Sequence, residues 1–570
     1  MNQFLSGVQR STRRPSSGRA QRAALVVVLL AVGAVLASTA KVWPFVINGI
    51  SDGSVYALAA LGLVLTFKTS GIFNLAIGGQ AAASAYVFYS FRIEAGLPWP
   101  IAAVLALSIV GIGGSILLER IAYWLSEAPP VMKIVATIGM LVMLQSVLTG
   151  AYGPATLQFS QYLPTQSFSV GEVRVQAFQV IVTLFALAAT AGLYLFFRQA
   201  RLGVAMQAVV EDPNLLALEA TSPVVVRRYA WAIGSAFVSI SGMLIAPTLG
   251  IQVNQMLLLY VTAFGAAAIG GFSSLPSTFA SAIAIGVAMN ILADKLQGQT
   301  NVVLSQLYTQ VPFLALVGAL LFVPRRKLVE RGIKRARRAT PIAQLPRSAL
   351  VPLGAVGLLV AMLIPYLVDS TDVNQYTTAV GFAVVLASLG LLIWTSGQLS
   401  LCQMAFAAVG ATTFFHAQSA GWPWLFSLLA AALVAIPVGA IVSIPSFRLS
   451  GTYLAVATFG FGLLFQNLIY GTDFMFGPAD LRAVSRPELF GLDTNTDRGY
   501  YYTSLAIALA CIALILTVRR SRLGRLLRGL GDSPAALAAH ATNTRLTCLM
   551  VFSLSAFLAA IGGVILAGVP

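Results

Sequence analysis

The sequence predicts an all-α polytopic membrane protein, made of two parallel-repeat halves with about 17 transmembrane helices, ten and then seven. Three observations predict it. The 570 residues are 58% hydrophobic and only 9% charged, whereas soluble domains carry roughly a quarter charged residues. Apolar runs of about 20 residues, long enough to cross a bilayer as a helix, recur along the whole chain. One polar, helix-forming loop occurs twice, as "RLGVAMQAVVEDPNLLALEAT" at 201–221 and "RLGRLLRGLGDSPAALAAHAT" at 522–542.

The first set of spans is placed at 23–41, 45–67, 72–92, 97–117, 131–151, 177–197, 229–250, 256–271, 278–297 and 306–323. The second lies at 349–368, 374–395, 398–418, 422–446, 451–470, 500–518 and 546–569. Of the 35 Lys and Arg, 24 fall within 1–22, 198–228, 325–347 and 519–545. These are span ends and connections, so the charges orient the helices by the positive-inside rule. Counting from the loop at 198–228, every basic cluster falls on one side, taken as the cytoplasm. The expected organisation is a basic cytoplasmic tail at 1–22, a first half at 23–323, a cytoplasmic linker at 324–348 and a second half at 349–570. Ten spans before the linker is an even number, so both halves start on the same side. The basic tail, "AALVVVLLAVGAVLA" and "STA" together have the form of a cleaved secretory signal. A comparable span opens the second half, which favours a retained helix. A cysteine placed at Ala339, in the linker, is expected to resist impermeant thiol reagents.

The net charge of +17 is accounted for by these cytoplasmic clusters and needs no nucleic-acid partner. Cys402, Cys511 and Cys548 sit in apolar stretches at spacings that fit no metal motif or disulfide framework. His416 and His540 are far apart in sequence, and no P-loop pattern occurs. No metal site and no catalytic residue is predicted. No nucleotide site of the P-loop type is predicted in this chain.

The twin loops align without a gap at an offset of 321. Arg201 and Gly203 match Arg522 and Gly524, Pro213 matches Pro534, and Leu216 matches Leu537. The acids Glu211 and Asp212 are echoed by Asp532, and the register runs on until Gly242 meets Gly563. A second echo, at an offset of 326, joins "TSGIFNLAIGGQAAA" at 69–83 to "TSGQLSLCQMAFAAV" at 395–409. Charge bias alone explains arginines in a loop, but not a gapless pattern of Gly, Pro and Ala-Thr.

The first half resembles one permease subunit of the branched-chain amino-acid ABC importer family, through "NGISDGSVYALAALGLVLTF", "GIFNLAIGGQ", "RLGVAMQAVVEDP" and "AFGAAAIGGFSSLPSTFASAIAIGV". The second half is similar to the other permease subunit, through "TSGQLSLCQMAFAAVGA", "FRLSGTYLAVATFGFG", "MFGPADL" and "SRLGRLLRGLGDSP". The resemblance implies a transport subunit that is not itself an enzyme, in the plasma or inner membrane, and the charge count puts its N-terminus in the cytoplasm. It implies two ABC ATPase subunits as partners, each docked on one loop, and an extracytoplasmic substrate-binding protein. The implied cargo is branched-chain amino acids or related small polar solutes such as amides and urea. The docking loops are expected to be helical at 203–222 and 524–543, with Leu215, Leu216 and Leu218 as an apolar face in one and Leu537 in the other. Ile77 stands where the family has a histidine, and Cys402 where it has Gly. Glu219, Ala220 and Thr221 replace its Leu-Gly-Ile.

Substrate paths in transporters lie where helices are broken. That rule points to Asn74, Gly78, Gly79 and Gln80 in the first half, and to Ser400, Gln403 and Thr458 in the second. A helix N-terminus at Gly71 or Gly397 is expected to favour a carboxylate, while close helix packing is the competing reading of the same small residues. Asp52, an acid inside a span, has either a functional or an interfacial role. Past Pro247 the first half continues through three more spans, and the second half has no counterpart to them before Pro570. The expectation is that another chain completes it or that the gene product is shortened. An ion-coupled secondary transporter and a non-transporting scaffold are the alternative functions.

Overall fold

The computed structural model describes residues 42–125, 130–170, 173–211, 213–219, 221–296, 298, 302–322, 346–449, 451–477, 484, 486 and 496–569. The predicted span at 23–41 with its tail, most of the linker, and Asp212 lie outside the described residues. The chain forms two compact units, Met1–Gln297 with Val311–Gly332, and Gly298–Gln310 with Ile333–Pro570.

The first unit runs through α1 (Trp43–Ser70), α2 (Ile77–Tyr89), α3 (Trp99–Trp124) and α4 (Pro130–Tyr152). A small antiparallel hairpin follows, β1 (Ser167–Val170) with β2 (Val173–Gln176), pairing Ser167 with Gln176. Then come α5 (Ala177–Gln199), the short α6 (Arg201–Glu211) and α7 (Pro213–Leu218), α8 (Pro223–Leu249), α9 (Val253–Ile269) and α10 (Leu275–Leu296). The short α11 (Val302–Gln306) groups with the second unit, and α12 (Val311–Phe322) with the first. The second unit continues with α13 (Arg347–Leu367), α14 (Ser370–Leu391), α15 (Gln403–Ser419), α16 (Trp424–Val442) and α17 (Thr452–Phe465). It closes with α18 (Asp497–Arg520), α19 (Arg522–Asp532), α20 (Pro534–Ala539) and α21 (Thr544–Ala567).

Among the described residues, 12 helices are long and apolar enough to cross a membrane. The other predicted spans there correspond to α2, α9, α13 and α15, whose described apolar parts are shorter. This is a multi-pass helical membrane protein in two repeated parts. Leucines and valines along α13, such as Leu353, Val356 and Leu359, are exposed, as a lipid-facing surface requires.

The repeat is structural as well as sequential. At an offset of 321, the bounds of α6 and α7 map onto those of α19 and α20 without a residue of slip, and the first residue of α8 maps onto that of α21. The turns are built from local signals. Ser521 Oγ accepts from Gly524 N at 3.3 Å, and Ser533 Oγ accepts from Ala536 N at 3.2 Å. Asn543 Oδ1 accepts from Arg545 N and Leu546 N, opening α21. Such side-chain caps satisfy the donors that a helix start leaves bare. Each loop is therefore two helices instead of the single helix expected. The reason is Pro213 and Pro534, which lack an N–H and disfavour helix in the residue before them.

α1 packs on α5, α8, α9 and α10, and α21 on α14, α15 and α16. Glycines set these distances. A Cβ at Gly49 or Gly53 would strike the α10 backbone at Val287 or Ile283. A Cβ at Gly242 of α8 would strike the Ala81 carbonyl of α2, and one at Gly563 of α21 the Ala407 carbonyl of α15. The two contacts are the same contact, repeated through both offsets.

α1 ends at Gly71, whose φ of 67° is left-handed and whose N–H donates to Phe67 O at 2.8 Å. α14 continues through a π-helical turn, Leu392–Ser396, to Gly397 with a φ of 66°. In both units the backbone then runs without regular helix until α2 and α15 start at Ile77 and Gln403, again at one offset. Gly71 and Gly397 are therefore C-caps, which corrects the expected helix N-terminus there, because a left-handed glycine stops a helix. Gly397→Ala is expected to cost about 1–2 kcal/mol, read as a lower midpoint of thermal unfolding in detergent. An unchanged midpoint would contradict the assigned conformation.

Candidate functional site

The chemistry-bearing residues gather at two kinds of place in each unit, the helix break and the looped helix pair. In the first unit the break is enclosed. Ile72, Phe73, Asn74, Leu75 and Ala76 are all buried. Asn74 Oδ1 accepts from Ala76 N at 3.0 Å, bracing the turn. Gly78 is buried, and Gly79 lies against Leu141 and Leu144 of α4. Gln80 donates from Nε2 to Val110 O at 3.2 Å, while its buried Oε1 has no partner among the described residues.

The second unit holds its break with a denser polar set. Ser400, at the position matching Asn74, shares a hydrogen bond of 3.1 Å with Cys402 Sγ. Leu401 N donates to Thr458 Oγ1 at 2.9 Å, tying the break to α17. Gln403 Oε1 accepts from Ser388 Oγ at 3.2 Å and its Nε2 donates to Ser555 Oγ at 3.2 Å. The positions matching Ser388 and Ser555 are Gly62 and Gly234, which approach each other backbone to backbone in the first unit. One unit thus closes this helix crossing with glycines, and the other with a serine–glutamine network. The structure brings all seven candidate path residues to the breaks or to helices bracing them. Most of their polar atoms are satisfied internally.

The looped pairs are anchored to the helices that precede them. A Cβ at Gly203 would strike the carbonyl of Phe196 in α5, and one at Gly524 those of Val518 and Arg519 in α18. Gln207 Nε2 donates to Phe197 O at 3.1 Å. This close return explains the shared Arg-Leu-Gly. Arg201 and Arg522 are exposed, as are Asp532 and Pro534. Glu211 ends α6 and Pro213 opens α7. Of the expected apolar face, Leu215 and Leu218 are 61% and 83% exposed, but Leu216 is buried at 8%. Leu216 therefore packs inward, since neighbouring helical residues point about 100° apart. Leu537 is half-buried beside Gly529.

Sequence reasoning missed Gly531. A Cβ there would come within 3.1 Å of the Ser396 carbonyl carbon and 3.3 Å of Gly397 N. α19 thus rests directly on the cap that begins the break. The only signal was a second glycine in "RGLGD". Sequence reasoning also missed Asn290, whose Nδ2 donates to Asp52 Oδ2 at 3.0 Å and gives that half-buried acid a partner.

The family model described as "Branched-chain amino acid transport system / permease component" matches twice, over residues 45–323 and 373–568. The chain belongs to this permease family. Among its relatives is the high-affinity branched-chain amino acid transport system permease protein LivH of Salmonella typhimurium, 27% identical over 296 residues, which span 49% of this chain and 92% of LivH. BraD of Pseudomonas aeruginosa, of the same description, is 28% identical over 298 residues, 49% of this chain and 92% of BraD. LivM of Escherichia coli K12 is 27% identical over 237 residues, 37% of this chain and 55% of LivM. Two matches of one family model and relatives of both names are consistent with a fused pair of permeases. No solved structure matches the permease significantly.

Proposed function

We propose that this permease is the translocation subunit of an ATP-driven importer, and that α6–α7 and α19–α20 each seat one ABC ATPase subunit. The observation that carries this reading is the duplication itself. The same helix pair, with the same bounds and the same glycine anchor, recurs in both units. A protein moved by two ATPases needs two such seats. The seat residues are Arg201, Gly203, Glu211, Asp212, Pro213 and Leu215, with Arg522, Gly524, Asp532, Pro534 and Leu537, while the buried Leu216 braces α7 from beneath. ATP and Mg act in the partners, and this chain binds no cofactor. An extracytoplasmic binding protein delivers branched-chain amino acids or small polar relatives such as amides. The protein lies in the cell membrane with its looped pairs and N-terminus in the cytoplasm.

Contact between α19 and the Ser396–Gly397 cap supports a mechanical route. Motion of a docked ATPase displaces α19, the displacement passes to the break, and the break with Ser400, Gln403 and Thr458 opens or closes the path. Asn74, Gly78, Gly79 and Gln80 do the same in the first unit.

The test is uptake of labelled leucine by vesicles holding the chain, its two ATPases and the binding protein. Uptake should require ATP and persist when proton and sodium gradients are collapsed. Uptake driven by a gradient without ATP would assign an ion-coupled transporter, and none under either condition a scaffold. Orientation is tested separately. Cys402, Cys511 and Cys548 are buried, so His540→Cys adds one exposed thiol to α20's end. It should resist an impermeant reagent in intact cells, and ready labelling would reverse the topology.

A further inference from the structure

A polar pocket lies where three helices of the first unit end together. Ser70 closes α1, Glu119 and Tyr123 belong to the last turns of α3, and Arg227 and Trp231 to the first turns of α8; all five line it. Its enclosed space is only about 10 Å³, room for a single oxygen atom, and it opens on one side. Trp231 is 1% exposed, and its Nε1–H finds no acceptor among the described residues. The buried Nε–H of Arg227 finds none either. Two buried donors without acceptors in one pocket are costly unless something supplies oxygen. The one acid among the described lining residues does not: Glu119 is already bridged by Arg228 at 3.3 Å.

Charge favours an anion. Arg227 lines the pocket and Arg228 pairs with Glu119, so two arginines face one acid there. Arg120 lies over the Trp124 ring and Arg227 over that of Tyr123. Tyr123, Trp124 and Tyr229 are exposed, the pattern of an aromatic belt at head-group level. Ile116 and Leu117, a turn or two deeper in α3, are exposed apolar side chains on which acyl chains can lie. Basic pockets between membrane helices take anionic head groups.

The second unit is an internal control. At the offset of 321, Arg227 and Trp231 become Cys548 and Phe552. Cys548 Sγ accepts from Gln398 Nε2 at 3.2 Å, and Phe552 is fully buried and carries no polar atom. The fold therefore does not require an arginine and an indole here. We propose that the pocket of Arg227 and Trp231 binds the phosphate of an anionic phospholipid, in the leaflet beside α6–α7. Only the choice of the cytoplasmic leaflet rests on the proposed orientation, which the His540→Cys labelling tests on its own.

The test is native mass spectrometry of the detergent-purified full chain, titrated with phosphatidylglycerol, phosphatidylcholine or inorganic phosphate. Arg227→Gln should weaken phosphatidylglycerol binding about tenfold, and Trp231→Phe about threefold, the loss of a charged and of a neutral donor. Arg545→Gln, which removes an exposed charge elsewhere, should change nothing, and phosphatidylcholine should bind all forms alike. Trp231→Phe keeps the buried ring, so it decides the matter if Arg227→Gln misfolds. Phosphatidylglycerol binding unchanged in both variants would overturn the proposal. Saturable binding of inorganic phosphate, lost in the variants and without preference for the anionic lipid, would replace the lipid by a free anion.

Discussion

Gly563→Val is expected to disrupt the core of the second unit, and Gly242→Val that of the first, each by about 3 kcal/mol or more. Membrane helices gain little from hydrophobic transfer against one another, so their association rests on close packing of small residues. At Gly563 the neighbour is a main-chain carbonyl, that of Ala407, and at Gly242 it is that of Ala81. A backbone group cannot rotate aside as a leucine tip can. The helices must separate, and every contact along α21 and α15, or α8 and α2, loosens with them. Gly192 supplies the contrast. It lies within α5, and a Cβ there meets nothing within 4 Å. Gly192→Ala should be neutral or gain up to about 1 kcal/mol of helix propensity. The measurement is the fraction of monodisperse protein left after heating in detergent. Equal curves for Gly563→Val and Gly192→Ala would refute the close approach.

Much of this architecture is legible in the sequence because lipid imposes simple rules. Each apolar run must be largely helix, and each predicted span among the described residues contains one, although those at 72–92 and 398–418 open in the breaks. The repeat offset of 321 was visible from Gly, Pro and the Ala-Thr pairs, and that of 326 from the shared Thr-Ser-Gly. What those residues do was not. Gly203 and Gly524 matter because a short helix folds back on its predecessor's carbonyls, a distance that no linear pattern contains. Gly71 and Gly397 marked the breaks correctly, but only φ shows that they end one helix instead of starting the next. Ser388 and Ser555 lie 167 residues apart and meet at Gln403 only after folding. The pocket of Arg227 and Trp231 was hidden by the same rule that predicts topology. Arg227 and Arg228 read as positive-inside charges, and charge counting does not distinguish a solvated arginine from one with a buried, unpaired Nε.

Leu215→Asp combined with Leu218→Asp is expected to release one ATPase and leave the other bound. Both side chains stand out from α7. If they seat in a groove, each buries about 1.5–3 kcal/mol of apolar contact, so losing both and burying a carboxylate should weaken that seat at least a hundredfold. The matching residues of α20 are Ala536 and Ala539, also exposed but with little apolar surface. The second seat must therefore draw its contacts from elsewhere, and α19 offers Leu526 with Arg522, Arg525 and Arg528. Copurification from detergent, quantified for each ATPase, reads the outcome directly. Loss of one partner with retention of the other supports separate seats. Undiminished recovery of both would remove α7 from the interface. Leu216→Ala separates docking from folding. Leu216 is buried against its own unit, so its truncation should lower thermal stability by about 2–5 kcal/mol and leave ATPase recovery per folded permease unchanged.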